Sequence, residues 1–489
     1  MSNFNYAARR KSSTPVLYIR ASIQSLSTSS LFRQPQAAVL AVVLLGLVGS
    51  STPAAGQDMP RVRRTIQDLT APSMQGRGYV RRGDQKAAEY IRRRFRRLYL
   101  QELSPNYTQS FQLDVNTFPG ELKLKIDSSL GMLHLPIFGG YHRLQPGLDF
   151  IAAPGSGAGR VGGSFSAAAV IPLDTTVFSD SSTQQRILHR PWNGNGIVVN
   201  ARHARQLSTL PAPLRQHLDS AAFMLTVVPK LTASLTNQQD RQIKLDILES
   251  AWLKSTKHSS SATSASVPTY VALRVDAKLE QKYQTQNVVG YVPGQIHPDS
   301  FLVVTAHYDH LGTMGRRTYF PGANDNASGT AMLLELAAYY ARPENKPAYS
   351  VVFIAFGAEE AGLVGSTYFV SNPLIPLERI RFLVNLDLLG TGSEGVTVVN
   401  GRELPVPFQL LQRLNETSKA VPSLAARGRA ANSDHFPFSE RGVPTFFLYT
   451  RGGITAYHDV QDRAETLPLT AFANVFGLIR SFLDSLGAR

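Results

Sequence analysis

Several short stretches of this sequence set metal-ligand or acid–base side chains just after apolar runs. They are His307 and Asp309 in "AHYDH", Asp325 in "GANDNASG", Glu359 and Glu360 in "GAEEAGLVGS", Asp387 in "NLDLLG" and His458 in "AYHDVQD". Each has a plain structural alternative. Asp325 could cap the helix that opens near Ser328, and Glu359–Glu360 could be an acidic first helical turn. His307 could be a satisfied core histidine, Asp387 could face a solvent loop, and His458 could lie on the surface. Together they form a usable donor set. Imidazole and carboxylate suit zinc, cobalt or manganese. Two divalent ions carry four positive charges, which three carboxylates and a bridging hydroxide cancel, and two neutral imidazoles complete the shell. Asp325, Asp387, one glutamate, His307 and His458 meet that need, with Asp325 the natural bridge. Such a pair of ions activates one water and polarises a carbonyl. A carboxylate outside the ligand set must then move the proton; within Glu359–Glu360 one residue can ligate while the other serves as this base. Asp309, two residues past His307, can orient the imidazole.

Composition narrows the chemistry further. The chain has no cysteine, so disulfides, thiolate metal sites and cysteine nucleophiles are excluded. Its 489 residues suit two domains, and 43% hydrophobic residues can fill sizeable cores. The net charge is +15, much of it between residues 61 and 97, as in "IRRRFRRLYL". There Ala87, Ala88, Ile91, Phe95 and Leu98 recur at helical spacing, so the arginines read as the solvated face of an amphipathic helix. No nucleic-acid-binding motif accompanies them, and no nucleic-acid partner is expected.

The elements that must position these residues follow from patterning. From residue 285 onward, continuous apolar runs ("FLVVTAHYDH", "YSVVFIAFGAEE", "RFLVNLDLLG") alternate with helical segments such as "ASGTAMLLELAAYYA". Runs of that kind are strands buried on both faces. The expected fold is α/β: a doubly wound mixed, mostly parallel sheet with helices on both faces. Ligands of such sheets bind at the carboxyl ends of the strands, where His307, Glu359, Glu360 and Asp387 fall. Residues 57–127, with helical patterns that include one from Gly83–Asp84 to about Leu100, read as the first part of this domain, and 276–489 as the rest. Residues 128–275 are rich in Gly, Ser, Ala and Thr with short β-like runs, and read as an inserted, mostly β domain. "KHSSSATSASVPT" is a low-complexity connector.

Residues 1–56 carry basic residues, no acid, and the apolar run "AAVLAVVLLGLVG" followed by small residues. The run is short for a membrane span and reads as a secretory signal cleaved after Gly56. The chain is therefore expected to be exported, periplasmic or extracellular, with no stable membrane span; an uncleaved N-terminal anchor is the alternative.

"TAHYDHLG", "GANDNASGTA", "FGAEEAGLVGS", "NLDLLG", "SDHFPF" and "YHDVQD" closely resemble, in order and separation, metallopeptidase family twenty-eight. These zinc exopeptidases include secreted bacterial aminopeptidases, glutamate carboxypeptidases and glutaminyl cyclases. The resemblance is dense over 285–489, thinner over 60–120 and weak over 128–275, where members often carry a protease-associated domain. It implies two Zn2+ per chain, replaceable by Co2+ or Mn2+. His307, Asp325 and Asp387 resemble the ligands of one ion, and Asp325, Glu360 and His458 those of the other. Glu359 resembles the general base, Tyr457 the tyrosine that bonds the oxyanion, and Asp309 the acid behind the ligands. Asp434 and Asp462 fall in family motifs with structural or outer roles. His310 departs from the serine of many relatives. The implied activity is an aminopeptidase acting on peptides with a free N-terminus. A carboxypeptidase using Arg427, Arg429 or Arg451, a glutaminyl cyclase, and a non-catalytic binding protein are the alternatives.

Overall fold

The structure, a computed structural model, describes residues 57–127, 142–162, 167–256 and 269–487. The segment read as a secretory signal, and the Ser/Thr-rich connector except Thr269, lie outside the described residues. Among those described, no helix is long and apolar enough to cross a membrane.

The apolar runs of the C-terminal half become the centre of a nine-stranded mixed sheet. His297–His307 pairs in parallel with Tyr349–Phe356 on one side and Ile380–Leu386 on the other, and Ile380–Leu386 pairs in parallel with Thr445–Arg451. Antiparallel strands border this group: Lys278–Val292 beyond Tyr349–Phe356, and Gly395–Val399 beyond Thr445–Arg451. Thr108–Thr117 pairs antiparallel with Lys278–Val292, which brings the N-terminal part of the chain into the same sheet.

Alternation along the strands explains the layers. Leu302, Val304 and Ala306 join a core with Val351, Phe353 and Ala355 under the helices Met59–Thr70, Gly83–Arg97, Gly329–Tyr340 and Phe472–Gly487. Val303, Val352, Ile354 and Phe356 point the other way, against Phe369 and Phe438 of the helices Val364–Ser371 and His435–Glu440. Each large apolar side chain so buried contributes about 1.5–3 kcal/mol. Because the four central strands are parallel, their carboxyl ends share one edge. The first of them in sequence has later strands on both sides, so the chain leaves it in opposite directions at His307. A crevice opens at such a switch point.

A second nine-stranded sheet is built between Leu122–Asp127 and Thr269–Val275, which pair antiparallel. Its centre is parallel: Ala168–Pro172, Gly196–Asn200, Phe223–Val228 and Ile243–Leu248. Short helices accompany these strands, among them Ser181–Leu188, Ala212–Asp219 and Glu249–Thr256. Two apolar clusters lie here. One gathers Trp192, Leu214 and Met224. The other joins Phe150, Phe223 and Ile247 to Leu311, Met314, Phe320 and Val460 from the loops of the first sheet.

Candidate metal centre

The strand His297–His307 ends with its last imidazole buried at the crevice. Its Nε2 lies 3.4 Å from Asp325 Oδ1 and 3.4 Å from Asp387 Oδ1. On the other side, His458 Nε2 lies 3.1 Å from Asp325 Oδ2 and 3.2 Å from Glu360 Oε2. The two oxygens of one carboxylate therefore lie beside two different imidazoles: Oδ1 beside His307, which also meets Asp387, and Oδ2 beside His458, which also meets Glu360. Donor atoms of His307, Glu359 and Asp387 lie within 4.8 Å of one another, as do those of His307, Asp325 and Glu360.

Local structure explains why Asp325 is free to point inward. Helix capping falls to its neighbour: Asn326 Oδ1 accepts the Gly329 N–H at 2.9 Å, while its Nδ2 donates to Leu386 O at 2.9 Å. Asn324 Oδ1 accepts the Gly390 N–H at 2.8 Å. The two asparagines thus tie the loop to the end of the strand Ile380–Leu386. From below, Asp462 accepts the N–H groups of Asn324 and Asp325 at 2.8 and 3.0 Å. Gly322, at φ +61°, must lack a side chain, because a Cβ would stand 2.2 Å from Asp325 O and 2.4 Å from the His310 ring.

Glu359 and Glu360 sit in the turn after Tyr349–Phe356. Both of their N–H groups point at Asp309, at 3.1 and 3.4 Å. The Asp309 carboxylate stands 3.8 Å from His307 Nδ1, beyond hydrogen-bond range. Nδ1 lies closer to the Asp309 backbone oxygen, at 3.3 Å. The expected orienting contact is thus longer than a hydrogen bond, and the Asp309 carboxylate instead accepts the N–H groups of the glutamate turn. Glu359 lines the crevice with its Oε2 4.0 Å from His307 Nε2. Tyr457 stacks on His458 at 4.0 Å and stands at the mouth. His310 Nδ1 lies 2.6 Å from Glu360 Oε1.

One buried group escapes the sequence reading. Arg77 falls among the arginines expected on a solvated face, yet it is fully buried. Its guanidinium donates to five backbone carbonyls: Tyr308 at 2.8 Å, Leu69 at 3.2 Å, Pro321 at 2.6 Å, Gly322 at 2.8 Å and Asp325 at 3.2 Å. It lies between the helices Met59–Thr70 and Gly83–Arg97, in "MQGRG", outside the helical periodicity of either. Flanking glycines are the signal that sets it apart. Gly76 and Gly78 pack so closely on Gly312 that a Cβ at either would lie 2.4 Å from its backbone.

The electrostatics describe a concentration of acid in a dry place. Burial pushes Glu359 well above the ordinary carboxylate range. Burial also lifts Asp309, Asp434 and Asp462 to about 7 each. For His307 burial favours the neutral ring, but the charges of Glu359 and Asp387 outweigh it and hold the pKa well above the usual imidazole value. For His458 burial is again opposed, by Glu360 and Asp325, and the value rises to about 9. Asp387 Oδ1 is buried without a hydrogen bond, while its Oδ2 accepts from Ser433 Oγ at 3.0 Å. Clustered buried carboxylates call for cations. Carboxylate and imidazole donors arranged around one shared aspartate fit divalent ions such as zinc.

Fold and site together define an α/β protein with a cluster of buried acids and imidazoles at the carboxyl ends of a parallel sheet. Residues 287–483 match the model of peptidase family M28. It is 36% identical to aminopeptidase YwaD of Bacillus subtilis over 166 residues, which are 32% of this chain and 34% of that protein. It is 32% identical to a glutamate carboxypeptidase 2 homolog of Caenorhabditis elegans over 187 residues, 36% of this chain and 22% of that one. The chain thus spans about a third or less of the length of these curated relatives. In fold it is similar to a zinc aminopeptidase from Bacillus subtilis, with a TM-score of 0.60 at 20% identity, covering 87% of this chain and 93% of that structure.

Proposed function

We propose that this chain is a zinc-dependent aminopeptidase that removes N-terminal residues from peptides. The observation that carries the reading is the division of Asp325: one oxygen beside His307, whose ring also meets Asp387, the other beside His458, whose ring also meets Glu360. Those five residues would hold two zinc ions with Asp325 between them. Bound there, the ions would supply an acidified water and polarise the scissile carbonyl.

The protein's own groups do the rest. Glu359, not needed as a ligand, takes a proton from the attacking water and passes it to the leaving amine. Its buried carboxyl, pushed upward in pKa by desolvation, holds a proton more readily than an ordinary carboxylate. Tyr457 donates its hydroxyl to the developing oxyanion. The substrate's free α-amine sits beside Glu359 and Asp387. Asp309 fixes the turn that carries both glutamates.

An amine-directed site is favoured over a carboxylate-directed one by the crevice lining. Its cavity of about 400 Å3 is lined by acids, Leu363, Leu388, Phe447, Tyr449 and Tyr457, with no lysine or arginine among the described lining residues. Of the arginines considered for a carboxylate pocket, Arg429 pairs with Glu440 and Arg451 donates to Glu394 O at 2.9 Å, while Arg427 reaches the hydroxyl of the lining residue Tyr449 at 3.4 Å. Export, with residues 1–56 as the signal, belongs to the same proposal. So does the assignment of 57–127 and 276–489 to the catalytic domain and of 128–275 to an inserted protease-associated-like module.

The test offers one peptide in three forms to zinc-loaded full chain: free, N-acetylated and C-amidated. Cleavage of the free and amidated forms, with loss on acetylation, is expected. Loss on amidation alone would make the enzyme a carboxypeptidase. Cleavage of none would point to the cyclase reaction or to a binding role.

A further inference from the structure

His307 is served locally, by the backbone oxygen of Asp309 two residues on. His458 is not. Its Nδ1 lies 2.9 Å from the backbone oxygen of Ala233, 225 residues away. Ala233 belongs to the segment that runs off the second sheet after Phe223–Val228. A carbonyl only accepts, so Nδ1 carries the hydrogen, and Nε2, which faces Asp325 and Glu360, is the nitrogen that would bind a metal. The bond is returned: Ala233 N donates to His458 O at 2.9 Å. His458 itself sits at φ +53°, in the left-handed region that few non-glycine residues occupy. The paired bonds with Ala233 restrain it there.

The segment is anchored at several points. Lys230 Nζ donates to Thr455 O at 2.9 Å and pairs with Asp459 Oδ2 at 3.3 Å, on either side of the histidine. Leu231 and Ala233 are buried in the same apolar cluster as Val460, Leu311 and Phe320. Beyond them, Thr236 O accepts the Asn116 N–H at 2.8 Å.

We propose that residues 230–236 are a positioning segment for His458, through which the second sheet sets the tautomer and aim of that ligand and so the loading of one of the two metal sites. This rests on the reading of His458 as a ligand. Outer partners of a ligating histidine typically change metal affinity 10- to 100-fold, and linkage makes the coupling reciprocal: metal at His458 must stabilise the segment that orients it.

The test uses the full chain and Zn2+ or Co2+ alone. Amide hydrogen exchange across 230–236 is compared with and without Zn2+, in wild type and in His458→Ala. Slower exchange on zinc addition in wild type, absent in His458→Ala, is expected. Chelator-competition titrations are run in parallel on Ala233→Pro, which removes the N–H bonded to His458 O, and on the surface change Lys230→Ala. About a tenfold or greater weakening of one of two binding steps is expected for Ala233→Pro. A smaller weakening of the same step is expected for Lys230→Ala, restored by Lys230→Arg. The Co2+ absorption spectrum should change in the weakened step alone. Two metal steps with unchanged exchange at 230–236 and wild-type affinity in Lys230→Ala would overturn the positioning role while leaving His458 as a ligand. If His458→Ala keeps both metal steps, the ligand reading beneath the proposal fails. Should Ala233→Pro not fold, the exchange comparison and Lys230→Ala decide the matter.

Discussion

The two large sheets are built alike and end differently. Each has nine strands, a parallel centre and its own buried apolar side chains. In the first sheet the parallel strands run into His307, the Glu359–Glu360 turn and Asp387, with loops that add Asp325 and His458. In the second they end at Pro172, Asn200, Val228 and Leu248, which carry no charge. Architecture alone therefore does not make a site. What distinguishes the first sheet is that its strand ends carry groups that are costly to bury, and that the surroundings are arranged to hold them. Asp462, Asn324, Asn326 and Arg77 spend their hydrogen bonds on backbone, leaving the Asp325 carboxylate to the crevice.

That contrast can be broken or sharpened by substitution. The largest effect is expected at Glu359. Glu359→Gln removes the proton carrier and keeps the shape, so turnover should fall by roughly 10²–10⁴-fold while metal content, measured by elemental analysis, stays that of wild type. Activity within about tenfold of wild type would remove Glu359 from the role of base. Next is Arg77→Met. Five backbone carbonyls and several acids lose a buried cation, and uncompensated buried groups of this kind cost about 3–5 kcal/mol. Denaturant unfolding should show that loss, together with weaker zinc retention. A change below about 1 kcal/mol would mean that water replaces the guanidinium at little cost. The smallest effect belongs to the second sheet's surface. Arg186 pairs with Asp174 where both are well exposed, and Arg186→Ala should alter stability by no more than about 1 kcal/mol and leave peptidase activity and metal content untouched.

Much of the first sheet was legible in the sequence because its strands are continuous apolar runs, and because the residues after them are of types that rarely follow such runs without a reason. His307, Asp325, Asp387, His458 and the pair Glu359–Glu360 could be picked out by kind and position, and the family resemblance chose Glu360 within the pair. The groups that hold them could not. Arg77 sits among arginines that lie on helix surfaces; its flanking glycines set it apart in the sequence, but its partners Pro321, Gly322 and Asp325, more than 240 positions away, are seen only in the fold. The exchange of capping from Asp325 to Asn326 depends on a rotamer and a turn that residue type does not fix. The bond between His458 and Ala233 is made by backbone atoms, which every residue possesses and no motif records. In 128–275 the short helices were hidden by composition, since eight residues such as Ser181–Leu188 offer only two turns of pattern.

The most direct test of the central claim is metal stoichiometry. Full chain freed of metal and titrated with Zn2+ should bind two ions, and His458→Ala should keep one, because His307, Asp325 and Asp387 remain to hold it. A single ion in the wild-type chain, or two retained in His458→Ala, would contradict a centre divided across the two oxygens of Asp325.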